Sequence, residues 1–327
     1  MIFGLQHKRT LIGLAIGLLV FASGSSADWK SGREALDQRH VQGIFRMYYT
    51  LQGEHALITG SNERQKNQDG AAALVAQIGQ KLQNADYFYS QTLGLTHPMQ
   101  SLRYAPLNLR YVDVHMLRME DKKGSTGDEV ITYKYRRFKD WAPAMTISIS
   151  SDWRPPGLTP EHEVFHTYQY SYTHFKNAWY LEGMARAMEP AFNDRTYQTE
   201  TLPTKPAELD KLLTRTYSAS RFWSRMMALC DPECVASWDG KYFKSTGQMC
   251  GGSFVKAVLE EFQAADPLAA KSRGIAPNDW PESEQWSSGN NTWMLGSVGR
   301  AMDRQCPVVS NSELGRFRAL LTTATGK

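Results

Sequence analysis

The stretch His162-Glu163-Val164-Phe165-His166 is the tightest constraint in the sequence. Two histidines four residues apart share one face of a helix, with Cβ atoms about 5–6 Å apart, so one metal ion can take a nitrogen from each. That arrangement requires a helix through 162–166, and the flanking residues predict one. Thr159 suits an N-cap, Pro160 suits the first helical position, and Glu161 complements the positive end of the helix dipole. Zinc held by two histidines at about 2.0–2.1 Å still needs a third protein ligand and an open position for water. Glu163 is turned away from direct coordination but can reach that water, which makes it the expected general base. By chance the five-residue pattern occurs in roughly one chain of this length in a hundred, so its context decides how much it means.

Upstream, Leu74, Val75, Ile78, Leu82 and Phe88 recur at near-helical spacing and predict a long amphipathic helix from Ala71 to Leu93, stopped by Gly94 and Pro98. Alternation predicts three strands: Leu109 to Met116, Val130 to Tyr133, and Met145 to Ile149. The charged stretch Glu120 to Asp128 reads as a solvated hairpin loop. Met145 to Ser150 could pair an extended peptide along its edge, or serve structure alone. A second helix is expected from about Asn177 to Glu189, ending at Pro190. Ala207 to Leu229, Gly252 to Phe262, Thr292 to Arg304 and Ser312 to Thr323 all carry helical patterns. The expected class is α+β, with an N-terminal lobe over 28–190 and a mainly helical C-terminal lobe over 191–327.

The second helix reads Trp179-Tyr180-Leu181-Glu182-Gly183-Met184-Ala185-Arg186-Ala187-Met188-Glu189. Together with H-E-x-x-H, its W-x-x-E-G-x-A pattern resembles the gluzincin metallopeptidases, in particular aminopeptidase N-like and thermolysin-type enzymes. The resemblance implies that Glu182 is the third zinc ligand. It also implies a zincin-like fold, a small mixed sheet over the metal-binding helix with a helical lobe closing the cleft. Gly183 and Ala185 would let the two helices approach. Glu189, two turns beyond Glu182, would accept a hydrogen bond from a ligand histidine. Related enzymes stabilise the oxyanion with a Tyr or His of the helical lobe, and Tyr242 is a candidate, a packing tyrosine being the alternative.

The departures are specific. Only 15 residues separate His166 from Glu182. The aminopeptidases' G-x-M-E-N segment has as its nearest counterpart Pro143-Ala144-Met145-Thr146, without the acid, which favours an endopeptidase. The metzincin continuation is excluded because Gln169 and Tyr172 stand where that motif needs Gly and His. His174, eight residues after His166, could still approach the site, a partly exposed helix-end histidine being the expected state.

Residues 1–27 have the layout of a secretory signal: His7, Lys8 and Arg9, an apolar run from Leu11 to Ala22, then small residues to Ala27. The run is too short to span a bilayer, and no other segment approaches that length. Export to a periplasmic or extracellular space favours two disulfides among Cys230, Cys234, Cys250 and Cys306. Cys230–Cys234 with Cys250–Cys306 is the preferred pairing of three possible. The formal charge of +4 falls to 4 − 2 = +2 without Lys8 and Arg9, with no basic stripe for nucleic acid. The expected function is zinc-dependent hydrolysis of a peptide or protein. The alternatives are a zinc-containing binding module without turnover and a zinc hydrolase of another amide, such as a cell-wall peptide.

Overall fold

The computed structural model describes residues 32–59, 68–132, 137–193, 196–240, 243, 246–307 and 309–326. The proposed signal, Tyr133 and Tyr242 lie outside the described residues.

The chain is a mixed α+β protein. Five strands, β1 (Gln38–Gln42), β2 (Phe45–Tyr49), β3 (Tyr111–Leu117), β4 (Gly124–Ile131) and β5 (Ala144–Ser150), form one sheet in the order β1-β2-β3-β5-β4. β2, β3 and β5 run parallel, while β1 and β4 are antiparallel edge strands. β5 is buried at every position, as is the middle of β3, so both strands are covered on both faces even though polar residues alternate with apolar ones along them. Two of these strands are absent from the sequence prediction. β1 is polar and exposed at alternate positions, and the β1–β2 hairpin turns through Gly43 at φ +59°, so neither strand has the long apolar alternation that marks β3.

The charged stretch Glu120 to Asp128, expected as a solvated loop, enters the edge strand β4 at Gly124, because Gly124 to Gly127 pair with Ile149 to Thr146 of β5. β5 is therefore interior, flanked by β3 and β4, and offers no edge to a peptide.

Helices α1 (Gln68–Tyr87) and α2 (Thr159–Tyr172) lie against the sheet, α1 beside β1 and β2, α2 beside β4 and β5. α1 continues as a wider turn over Phe88–Thr92. Thr159 begins α2 rather than capping it, and Leu158 at the cap position contributes no side-chain hydrogen bond. Glu161 is instead buried and joined at 2.6 Å to Lys81 of α1, which fixes the start of α2. Helix α3 (Ala178–Met188) follows after a short extended turn.

The remaining chain forms α4 (Pro206–Leu213), α5 (Ser220–Cys230), the short strands β6 (Ala236–Trp238) and β7 (Gly247–Met249), then α6 (Gly252–Ser272), α7 (Glu282–Gln285), α8 (Asn291–Gln305) and α9 (Glu313–Thr325). One apolar core runs without interruption from the sheet through α3 to α9. Trp179 binds these layers together. Its ring stacks on Trp223 of α5 at 5.4 Å, and its indole N–H donates to Asn291 of α8.

The disulfides are Cys230–Cys306 and Cys234–Cys250, which corrects the expected pairing. The hairpin register explains it. Ala236 pairs with Met249, so Cys234 and Cys250 flank the same end of the β6–β7 ladder. Cys230 closes α5 on its buried side, where the end of α8 brings Cys306. Loop-closure entropy makes the 76-residue link worth about 4.5 kcal/mol and the 16-residue link about 3.1 kcal/mol. Peptide mapping without reductant is expected to recover these two pairs. The double variant Cys230→Ala/Cys306→Ala should lose more denaturant stability than Cys234→Ala/Cys250→Ala.

Candidate metal centre

His162 and His166 project from α2 with ring centroids 4.7 Å apart. Glu182 projects from α3 to meet them. Its Oε2 lies 3.2 Å from His162 Nε2 and 3.7 Å from His166 Nε2. Donors at about 2.0–2.1 Å from one tetrahedral ion are separated by about 3.3–3.4 Å, so this spacing suits a single metal ion. Among the described residues this trio is the one group of histidine, cysteine and acidic side chains able to hold such an ion.

The ring orientations are set from behind. Glu189 Oε1 lies 3.1 Å from His162 Nδ1. A carboxylate only accepts, so the imidazole carries its proton on Nδ1 and turns Nε2 toward Glu182. Gln169 does the same for His166. Its amide nitrogen donates to the carbonyls of Tyr180 and Leu181 at 3.4 and 3.1 Å, which leaves its oxygen to face His166 Nδ1 at 2.8 Å. With an ion bound, both rings would present a bare Nε2 to the same space.

Charge in the site calls for a cation. Burial opposes a charge on His162, but its hydrogen bonds to Glu182 and Glu189 outweigh burial and raise its pKa to about 10. Burial pushes Glu182 the other way, and hydrogen bonds from the two imidazoles hold it well below the usual carboxylate range. A metal ion would take the place of that imidazolium proton between the same groups.

Glu163 points to the opposite wall of the cleft. Thr126 of β4 donates to its carboxylate at 2.7 Å and also reaches its carbonyl. Gly124 makes the space, since a Cβ there would stand 2.4 Å from Glu163 Oε1. The cleft has a volume of about 590 Å³, and its walls include β4, the trio, Glu163, Tyr217 and Arg186. A larger cavity of about 1180 Å³ beside β6 and β7 shares no lining residue with it.

Tyr217 escapes the sequence reading because no motif surrounds it. It opens the short turn Tyr217–Ala219 ahead of α5, and its ring lies 5.9 Å from that of His162. Partial burial and the Glu182 carboxylate push its pKa up to about 12, so it is a protonated donor at neutral pH. Gly183 sets this contact. Its expected role was to bring α2 and α3 together, but a Cβ there would stand 2.7 Å from Ala219 and 3.2 Å from Trp223. The glycine admits the turn that carries Tyr217. His174 is not exposed and takes no part. It is buried, with Nδ1 3.2 Å from Asp266 and its ring stacked on Trp280.

No family model, curated protein or solved structure matches the chain.

Histidine-orienting partners typically change metal affinity by about 10–100-fold, which sets the expected cost of replacing Glu189 or Gln169. In chelator competition, Glu189→Gln and Gln169→Leu should each bind zinc that much more weakly, with unchanged far-ultraviolet circular dichroism. Wild-type affinity in both would contradict the roles assigned to them.

Proposed function

We propose that this chain is an exported zinc metallopeptidase of zincin-like architecture, cutting internal peptide bonds. The observation that carries the reading is the convergence of His162 Nε2, His166 Nε2 and Glu182 in a cleft whose other wall holds Glu163. A pure metal-binding module has no need of Glu163, which is held by Thr126 and kept away from the three ligands. Two disulfides suit the oxidising compartment that export implies. Among the described residues no helix is long and apolar enough to cross a membrane.

Bound zinc would polarise the scissile carbonyl and lower the pKa of the attacking water toward about 7. Glu163 accepts that water's proton and passes it to the departing amine. Its hydrogen bond from Thr126 occupies one carboxylate oxygen and leaves the other for this transfer. Tyr217, protonated and facing His162, donates to the developing oxyanion, the part assigned on sequence to Tyr242. An extended substrate lies along the outer edge of β4, which has its one sheet neighbour in β5 and lines the cleft from Gly124 to Thr126.

Glu163→Gln should retain zinc and lose about 10²–10⁴-fold in cleavage of a mixed peptide library, the usual range for a positioned proton-transfer group. Tyr217→Phe should lose about 10²–10³-fold in kcat with a smaller change in KM. Both are read by mass spectrometry of cleavage products with and without chelator. Chelator-resistant cleavage, or full activity of Glu163→Gln, would overturn the reading.

A further inference from the structure

Arg186 stands one helical turn beyond Glu182, on the same face of α3, and is exposed. Its guanidinium sits 5.9 Å from the centroid of the Tyr217 ring. It makes no hydrogen bond or ion pair with any described residue. This is unusual for its surroundings, because two carboxylates stand nearby in the chain, Glu182 on α3 and Glu189 just beyond its end. Both are already committed, Glu182 to the two imidazoles and Glu189 to His162. The arginine is left with its planar set of donors beside the centre.

Arg186 and Glu189 line the metal cleft and also a second cavity of about 400 Å³. The rest of that cavity includes Thr196, Gln198, Ser220 and the buried Ser224. None of these four side chains is hydrogen-bonded to a described residue. The cavity therefore combines uncommitted neutral polar groups with one uncommitted cation, directly adjoining the trio, and its lining carboxylate, Glu189, is hydrogen-bonded to His162.

We propose that Arg186 anchors a carboxylate-binding subsite, so that the preferred substrates carry a carboxylate beside the bond that is cut. This rests on the peptidase reading of the metal centre. Guanidinium binds carboxylate through two parallel N–H···O bonds, and the Tyr217 ring beneath it limits the orientations it must give up on binding. The hydroxyls of Ser220 and Ser224 and the amide of Gln198 can satisfy the remaining oxygen lone pairs. The carboxylate can come from an acidic side chain or from a free C-terminus, since both present the same two oxygens, the second source moving the cut from internal bonds to the chain end.

The test uses matched peptides on the zinc-loaded full chain. One set exchanges Glu for Gln at each position flanking the cleaved bond, and a second exchanges a free C-terminus for its amide. Wild type should favour the carboxylate member of one set by about tenfold or more in kcat/KM, chiefly through KM, and the set that responds identifies the source. Arg186→Gln should abolish that preference and Arg186→Lys should restore part of it. Equal rates for acid and amide partners, or a preference that survives in Arg186→Gln, would overturn the subsite. Calorimetry with uncleavable reduced-bond analogues of the same peptides separates the two claims. Carboxylate-selective binding that Arg186→Gln erases, without cleavage of any peptide by wild type, would uphold the subsite and overturn the peptidase reading. Cleavage without selectivity would do the reverse.

Discussion

The buried amide of Gln169 sets how α2 and α3 meet. Its nitrogen is spent on two carbonyls at the start of α3 and its oxygen on His166, in a fully buried place. A buried polar group stripped of its partner costs about 1–3 kcal/mol, so a shift of either helix that broke these bonds would be opposed. The same residue fixes the distance between helices and the tautomer of His166. Glu182 follows directly after the two carbonyls that Gln169 holds, so its reach toward His162 and His166 is a consequence of that tie.

Around this joint the sheet and the helical lobe each bring one wall. The sheet contributes β4, where Thr126 holds Glu163 and Gly124 leaves room for its carboxylate. Asp128 in the middle of the strand is bound by Arg103 and Lys176, and Arg103 also reaches the Tyr170 carbonyl near the end of α2. The edge strand is thereby clamped across the helix that carries the histidines. The helical lobe contributes Tyr217 on a turn seated against Gly183, with the Trp179–Trp223 stack behind it. Three carboxylates converge within this frame, Glu182 and Glu189 held by the imidazoles and Glu163 by the Thr126 hydroxyl.

Much of the centre was legible from spacing. His162, His166 and Glu163 come from one helical repeat, and Glu182 and Glu189 came from the segment's likeness to a known pattern. Local signals also found α1, β3, β5 and the helices of the second half, where apolar periodicity is strong. Features that depend on tertiary partners were not legible. β4 looked like a loop because its Gly- and charge-rich residues make sense only against β5 and α2. Gln169 was noticed for what it excluded, since an amide's use depends on which carbonyls face it. Tyr217 carries no motif, and the disulfide pairing follows from the β6–β7 register rather than from the distance between cysteines along the chain.

The central claim is that α2 and α3 hold one zinc ion between them, and anomalous diffraction at the zinc edge from crystals of the zinc-loaded protein tests it most directly. One strong peak is expected at about 2.0–2.2 Å from His162 Nε2, His166 Nε2 and a Glu182 oxygen. An absent peak, or one held by other residues, would contradict the claim.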